Sequence, residues 1–184
     1  MATHSLGCMA DVSVRPALPT EARLIADLQI AVWRADYAKL LPAGALEALS
    51  PIEVAEQWAA AAAQVPTRAH AVLVALEGNT FVGFTATAPS SDPDLDEAVV
   101  GEVLILLVSP DHRQSGHGSR LMAAAVSGLQ DAGRSRATAW LLEGDLVLRQ
   151  FFEGAGWALD GAKRELDGGE PVKQVRLQTD LRAD

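Results

Sequence analysis

The segment from residue 108 to residue 122 combines the end of an apolar strand, a polar turn with two glycines, and the start of a helix. Gly116 and Gly118 leave no side chain where the chain would turn into the helix, so other atoms can approach the backbone there. The first turn of a helix has N–H groups without internal partners and the positive end of the helix dipole, which together bind phosphate groups. Hydroxyl donors and positive charge come from Ser115, Ser119, Arg113 and Arg120. The segment predicts a phosphate-binding turn, although two glycines alone are equally compatible with an ordinary turn.

Two common nucleotide-binding motifs do not fit this segment. A Walker A loop ends in Gly-Lys-Ser/Thr, and the segment contains no lysine. A dinucleotide-binding fingerprint needs a third glycine three residues after Gly118, where Leu121 stands.

Hydrophobic periodicity and turn residues predict the elements that must position this turn. Residues 103–108 have no polar side chain, so the fourth strand is predicted to be central and covered on both faces. Residues 167–171 predict a tight connection between the last two strands. The element order indicates an α/β (α+β) domain with helices packed against a mixed sheet. Strands are predicted at 12–15, 70–76, 80–88, 99–108, 137–142, 157–165 and 172–179, and helices at 19–36, from 51 onwards, at 116–132 and at 145–155.

The composition limits the possible classes of protein. The 184 residues include 15 basic and 24 acidic side chains, which give a net charge of −9 and argue against a nucleic-acid partner. We expect an N-terminal extension at 1–11 and a single domain over 12–184. Cys8 is the only cysteine and the first residues lack a signal pattern, so we expect a cytoplasmic protein. The scattered histidines predict no metal site, and the apolar runs are too short for a membrane partner.

The glycine turn and a later segment together resemble a known family. Arg113-x-x-Gly116-x-Gly118 is similar to the Arg/Gln-x-x-Gly-x-Gly/Ala signature of the GCN5-related N-acetyltransferase (GNAT) superfamily. A second resemblance lies later in the chain, at residues 145–157. The family has Asn-x-x-Ala-x-x-Phe-Tyr-Glu-x-x-Gly-Phe there, and this sequence is similar, with Asp145-x-x-Leu148-x-x-Phe151-Phe152-Glu153-x-x-Gly156-Trp157. The resemblance extends over residues 12–180. It implies a GNAT-like central mixed sheet of six to seven strands, splayed between strands four and five and flanked by about four helices.

This resemblance implies an enzyme that transfers the acetyl group of acetyl-CoA, its acyl donor, to an amine of a small molecule, peptide or protein. The amine would attack directly in a ternary complex, without a metal. The pantetheine arm would lie in the gap between strands four and five and pair with the main chain of Leu106, Leu107 and Val108. A backbone N–H there would polarise the thioester carbonyl. The pyrophosphate would be wrapped, chiefly by backbone, by Arg113, Gln114, Ser115, Gly116, His117, Gly118 and Ser119.

Glu102 is the candidate general base, since it stands where histone-type members of the family have their catalytic glutamate. Strand alternation predicts that it shares a face with Leu104 and Leu106. A carboxylate beside a long apolar run can have its pKa raised by desolvation, which suits a base that works near neutral pH. The alternatives are a solvated glutamate at the strand entry and a water chain that serves as the base.

The sequence departs from the family at two further positions that the resemblance implies for CoA binding. Phe152 replaces the tyrosine that often protonates the CoA thiolate, so water would do so or the thiolate would leave unassisted. Asp145 replaces an asparagine; it can still cap a helix but cannot donate an amide hydrogen bond to pantetheine. Tyr37 is the only tyrosine, and we expect a packing role for it near Trp33.

Several side chains near the predicted cleft have open roles. We expect the His117 ring to face solvent, and Trp140 and Trp157 to lie in the core. Four acidic residues precede the fourth strand, either as a solvated loop or as an attraction for a cationic acceptor: Asp92, Asp94, Asp96 and Glu97.

The two departures leave a second function open, a non-catalytic acyl-CoA-binding or regulatory module of the same fold. An acetylating toxin that acts on charged tRNA is disfavoured by the net charge of −9. A homodimer is possible in this family, and no pattern in the sequence decides it.

Overall fold

The computed structural model describes residues 12–42, 44–166 and 171–182. The predicted N-terminal extension at 1–11 and most of the predicted connection at 167–171 lie outside these residues. The described residues form a seven-stranded mixed sheet and four α-helices, as the resemblance implied. The strands are β1 (Val12–Pro16), β2 (Ala71–Glu77), β3 (Thr80–Pro89), β4 (Val100–Val108), β5 (Arg136–Leu142), β6 (Ala158–Leu166) and β7 (Val172–Asp180), and the helices are α1 (Ala22–Asp36), α2 (Pro51–Ala63), α3 (His117–Asp131) and α4 (Leu146–Gly154).

The sheet has the strand order β1-β2-β3-β4-β5-β7-β6, and its neighbours are antiparallel except for the parallel pair β4–β5. Helices α3 and α4 cover one face, which we call the α3 face, and α1 and α2 cover part of the other, the α1 face. Leu121, Ala125 and Leu129 of α3 belong to the same buried cluster as Val103 and Leu106 of β4. On the opposite side, Ile25 and Val32 of α1 pack with Leu107.

Local capping explains where two of the helices begin. The Ser50 hydroxyl accepts a hydrogen bond from the Glu53 N–H at 3.3 Å, and Pro51 occupies the first turn of α2. The Asp145 carboxylate accepts from the Leu148 N–H at 3.0 Å at the start of α4. The capping role predicted for Asp145 is therefore confirmed.

Strands β4 and β5 separate after a short paired region. Only residues 100–102 of β4 pair with β5, opposite residues 136–138. Residues 103–108 keep their pairing with β3 on the other side. A gap therefore opens between the carboxyl-terminal halves of β4 and β5, which confirms the predicted splay.

A β-bulge at Leu104 changes the direction of side chains along β4. Thr87 pairs with Val103 and Ala86 with Ile105, which leaves Leu104 as an extra residue. The Leu104 side chain is 51% exposed, so the prediction that both faces of this stretch are covered is wrong at this residue. Glu102 lies on the α1 face, because its neighbours Gly101 and Val103 contact the α3 side.

Leu106 lies on the α3 face, so the predicted shared face of Glu102 and Leu106 is also wrong. The alternation rule fails because the bulge shifts the register by one residue. Among the described residues, no helix is both long and apolar enough to cross a bilayer.

Candidate functional site

The turn at residues 113–119, which we call the phosphate turn, joins β4 to α3 at the open end of the gap. Gln114 and Gly116 have left-handed backbone, with φ angles of 61° and 81°. Turns of this kind direct successive N–H groups into one concave surface that binds anions. Within the described parts of the chain, the N–H groups of residues 114–119 donate no hydrogen bond to the protein. This backbone is therefore free to bind a phosphate-bearing ligand.

The two arginines of this region are held by the protein itself. Arg113 donates to the Asp36 carboxylate at 2.5 Å, and its Nε lies 3.4 Å from the Val108 carbonyl oxygen. Arg120 folds back and donates to the Ser115 carbonyl oxygen at 3.2 Å. Both guanidinium groups place positive charge beside the turn, but they are bonded to the protein. The donors of the turn that remain free are therefore main-chain N–H groups.

His117 is buried, which contradicts the prediction that its ring faces solvent. The residue is 2% exposed, and its Nε2 lies 3.3 Å from the Glu77 carboxylate at the end of β2. Its position in α3 explains the burial, since His117 starts the row of sheet-facing residues that continues four residues later with Leu121 and then Ala125. That four-residue spacing was the signal that would have placed it correctly. The backbone N–H of His117 remains available to the phosphate turn.

Gly118 is required for the packing of α3 against α4. A Cβ atom at this position would lie 3.3 Å from Cζ of Phe151.

Phe152, the next residue, is 1% exposed and packs edge-on against Trp157, with ring centroids 5.0 Å apart. Trp157 lies in the core as predicted, whereas the predicted contact of Phe152 with CoA stays a prediction.

The end of α1 and the turn that follows it reach both sides of the gap. Asp36 binds Arg113 beyond β4, and a Cβ atom on Gly144 beyond β5 would lie 2.6 Å from Leu40. Tyr37 lies against Asp145, and burial together with that carboxylate raises the pKa of its hydroxyl far above the ordinary value. Tyr37 therefore keeps its proton at neutral pH.

Glu102 lies where β4 and β5 part, opposite Thr138. The residue is 4% exposed, so the alternative of a solvated strand-entry glutamate is wrong. Burial, and next the negative charge of Asp92, raise the pKa of the Glu102 carboxyl. Within the described residues its Oε2 has no hydrogen-bond partner. This buried oxygen is free to accept a proton or a hydrogen bond from a ligand.

The acidic loop between β3 and β4 is attached to the sheet. Arg176 of β7 binds the carboxylates of Asp92 at 3.0 Å, Asp94 at 2.6 Å and Asp160 at 2.7 Å. The hydrogen bonds that Arg176 donates to Asp94, and also to Asp160 and Asp92, raise the pKa of Arg176, which stays charged. The predicted solvated loop is wrong for Asp92, which is buried against Arg176, whereas the Asp94 side chain is 59% exposed and also pairs with Arg176. We call Arg176 and its three aspartates the Arg176 network.

Trp140 belongs to this arrangement and not to the core, so its predicted core position is wrong. Its Nε1 donates to the Asp92 carboxylate at 2.9 Å, and Arg164 stacks over its ring at 4.3 Å. Alternation along β5 explains its place, since Ala139 and Leu141 face the buried cluster on the α3 face. Sequence reasoning missed Arg176, because polar residues such as Lys173, Gln174 and Gln178 also occur in β7 and nothing nearby marks one of them as buried.

The gap therefore has two chemically different ends. Free backbone N–H groups at its mouth suit an anionic group, and the unpaired carboxylate of Glu102 at its closed end suits a proton-bearing group. Unpaired main chain of β4 lies between them. The described ranges contain no group of three or more His, Cys, Asp or Glu side chains arranged to hold a metal ion.

Comparison with known proteins agrees with this geometry. Residues 33–157 match the model of the acetyltransferase (GNAT) family. No curated protein matches the chain. Among solved structures, yncA from Salmonella typhimurium, determined with its cofactor acetyl-CoA, has a TM-score of 0.70 at 14% identity, covering 94% of this chain and 95% of that one.

Two further solved structures show the same fold. The PaiA N-acetyltransferase from Thermoplasma acidophilum, in complex with coenzyme A, has a TM-score of 0.69 at 14% identity, covering 92% of this chain and 98% of that chain. The ribosomal-protein-alanine N-acetyltransferase from Brucella melitensis has a TM-score of 0.72 at 18% identity, covering 91% and 99%. At these identities the likeness concerns the fold alone.

Proposed function

The chain belongs to the GNAT family of acetyltransferases, and on that premise we propose that it transfers the acetyl group of acetyl-CoA to the nitrogen of a primary amine. The observation that carries the proposal is the gap between β4 and β5, with unbonded N–H groups at its mouth and the unpaired Glu102 carboxylate at its closed end. An acyl donor and an amine acceptor can meet there from opposite ends.

In this proposal the main chain binds most of the donor. The pyrophosphate lies against the N–H groups of residues 114–119, at the positive end of the α3 dipole. The pantetheine amides pair with the main chain of residues 106–108, as a peptide adds to a sheet edge. A backbone N–H of that stretch polarises the thioester carbonyl.

Glu102 serves as the general base. The amine arrives mainly as an ammonium ion, since the pKa of an alkylamine is about 10. Glu102 takes one of its protons, and the nitrogen lone pair forms a bond to the thioester carbonyl carbon. The oxyanion collapses, the C–S bond breaks, and its electron pair leaves on sulfur. The second proton lost by nitrogen goes to the thiolate, and the proton on Glu102 passes to solvent.

No tyrosine serves as the acid in this scheme. Phe152 has no hydroxyl, and the raised pKa of Tyr37 makes it a poor donor to a thiolate whose own thiol has a pKa of about 8.5. Tyr37 instead holds Asp145 at the start of α4. The thiolate takes its proton either from water or from the nitrogen of the acceptor.

A second candidate is a non-catalytic acyl-CoA-binding module. It is favoured by Phe152, which is 1% exposed, and by Asp145, whose carboxylate already accepts from the Leu148 N–H and faces Tyr37. The two candidates share CoA binding and differ in turnover.

The test is a thiol-release assay with acetyl-CoA and a panel of primary amines, beside calorimetric titration with acetyl-CoA. The matched variants are Ser119→Glu in the phosphate turn and Ser127→Glu near the other end of the same helix, both at exposed positions. A glutamate in the first helical turn stabilises the helix but repels a phosphate.

We expect Ser119→Glu to weaken acetyl-CoA binding by about tenfold or more and Ser127→Glu to leave it unchanged. Turnover with an amine supports the acetyltransferase. Binding without turnover of any amine supports the module. Absence of acetyl-CoA binding to the unmodified protein overturns both.

A further inference from the structure

A cleft on the α1 face has Leu104, two residues after Glu102, in its lining. It has a volume of about 300 Å³ and lies between the carboxyl-terminal half of α2 and the strands β2, β3 and β4. Its lining is mostly small or apolar and includes Trp58, Ala61, Ala71, Val72, Ala86 and Leu104. No Asp, Glu, Lys or Arg is among the described residues that line it. A cleft of this size and lining suits one compact apolar group.

Leu104 joins this cleft to the proposed catalytic position. It is the extra residue of the bulge in β4, it is 51% exposed, and it lines the cleft. Glu102 precedes it by two residues, which is about 7 Å along a strand. Bulges beside active sites commonly direct a side chain that alternation would place elsewhere. A ligand with its nitrogen at Glu102 therefore has Leu104 and the cleft within reach of a short chain.

The aromatic wall of the cleft is already fixed. Trp58 donates from Nε1 to the Gln29 side-chain oxygen at 2.6 Å, and Gln29 is 8% exposed. The Trp58 ring also stands edge-on against Phe84, with centroids 5.1 Å apart. A ligand in the cleft would therefore contact a wall that loses little conformational freedom on binding.

Two polar side chains of the lining are already engaged, and Gln64 is the remaining amide there. The Thr87 hydroxyl donates to the Ala69 carbonyl oxygen at 2.9 Å. The Nδ1 of His70 lies 2.8 Å from the Thr67 hydroxyl. A polar or charged ligand group would find few free partners here and would be desolvated at a cost.

We propose that the acceptor is a primary amine with a compact apolar body, such as one aromatic ring or a chain of about six carbons. The apolar body occupies the cleft, with Leu104 and Trp58 as its walls, and the amine lies at the Glu102 carboxylate. The charge of the ammonium ion complements that carboxylate, and the apolar body complements the uncharged lining. This inference rests on the proposed acetyltransferase function and names its substrate class.

The first experiment measures kcat/KM for a series of linear primary amines from propylamine to hexylamine, with phenethylamine and spermidine added. Each methylene that enters the cleft should raise kcat/KM by about fourfold. Spermidine should be a poor acceptor, because its second and third charges would have to enter the uncharged cleft. Equal kcat/KM along the series, or a preference for spermidine, overturns the inference while leaving the acetyltransferase proposal intact.

The second experiment fills the cleft. Ala61→Phe places a ring in it, and Ala63→Phe makes the same change at an exposed position of α2 outside the lining. Ala61→Phe should lower kcat/KM for hexylamine by at least tenfold, with little change for propylamine or for acetyl-CoA binding. Ala63→Phe should change none of these. An equal loss for both amines in Ala61→Phe would contradict a size-selective cleft.

Direct binding provides a readout without turnover. Calorimetry should detect hexylamine binding to the unmodified protein in the presence of CoA, and this binding should be lost in Ala61→Phe. No hexylamine binding overturns the inference whatever the turnover data show. A changed oligomeric state of Ala61→Phe in sedimentation, at unchanged amine selectivity, would mean that the cleft is a surface between two copies of the chain.

Discussion

The phosphate turn and the surroundings of Glu102 lie at opposite ends of one gap and are built in opposite ways. The turn is a run of seven consecutive residues, 113–119, whose free groups belong to the main chain. The Glu102 end is assembled from side chains of β4, β5, β7 and the acidic loop. Arg176, for example, binds Asp92, which lies 84 positions earlier in the chain. The turn should therefore tolerate changes of side chain, whereas the Glu102 end should not.

The energetic character of the two ends differs as well. At the turn, the unbonded N–H groups are exposed to solvent until a ligand replaces the water. At the other end, Glu102, Asp92 and Arg176 are each less than a tenth exposed. Asp92 and Arg176 compensate each other's charge, so the loss of either one should lower stability.

The largest expected effect is that of Glu102→Gln on turnover. Without a base the reaction should lose about 10²–10⁴ in kcat at neutral pH, while acetyl-CoA binding at the turn is unchanged. In the unmodified protein, kcat/KM should fall as the pH drops through the raised pKa of Glu102. A thiol-release assay across pH measures both. Full activity in the variant would mean that a water chain serves as the base.

The next largest effect should come from Arg176→Met, which removes the cation shared by the three carboxylates of the Arg176 network and leaves only Arg164, 3.9 Å from Asp92. We expect a loss of about 3–5 kcal/mol in the free energy of unfolding, measured by urea denaturation. Arg164→Met is the matched control, because Arg164 is only half-buried and stacks on Trp140. That variant should lose about 1 kcal/mol or less. Similar losses in both variants would contradict a special role for the Arg176 network.

A glycine pair tests the main-chain character of the turn. Gly116 has a φ angle of 81°, so Gly116→Ala should cost about 1–2 kcal/mol in stability and weaken acetyl-CoA binding. Gly128 lies inside α3, where an added Cβ would meet no atom within 4 Å. Gly128→Ala should therefore stabilise the protein by about 0.5–1 kcal/mol and leave binding unchanged. Unchanged acetyl-CoA affinity in Gly116→Ala would argue against backbone recognition of the phosphates.

The last prediction is that the stability difference between Glu102→Gln and the unmodified protein depends on pH. Because the folded-state pKa of Glu102 is raised, its favourable contribution exists below the unfolded pKa near 4.5 and is lost as the pH rises through the folded value. Glu102→Gln should therefore match the unmodified protein near pH 4 and exceed its stability by about 1 kcal/mol at pH 8. Unfolding curves at both pH values measure this difference. A pH-independent difference would mean that burial does not perturb this carboxyl.

Features that depend on neighbouring residues were predictable. The hydrophobic periods placed the seven strands and four helices, and the polar turn after β4 was identified as a candidate phosphate site. Capping by Asp145 followed from residue type and position. Helix capping depends on a hydrogen bond between residues three positions apart. Residues nearby in the sequence therefore contain all the information that its prediction needs.

Features that depend on packing between distant elements were not predictable in the same way. The bulge at Leu104 shifted the faces of β4, and the α3 row placed the His117 ring against Glu77. The ion pairs of Arg176 turned an apparently solvated acidic loop into part of the sheet's surface.

The sequence by itself determined the order of the elements, the phosphate turn and the identity of the candidate base. Only the tertiary structure decided the environment of that base, because burial, unpaired oxygens and neighbouring charges arise when β4, β5, β7 and the acidic loop meet. It also decided that an apolar cleft forms around Leu104, since Trp58, Val72, Ala86 and Leu104 come from four separate elements. Local patterns describe hydrogen bonds made within a few residues, whereas desolvation and ion pairing depend on everything that packs around a group.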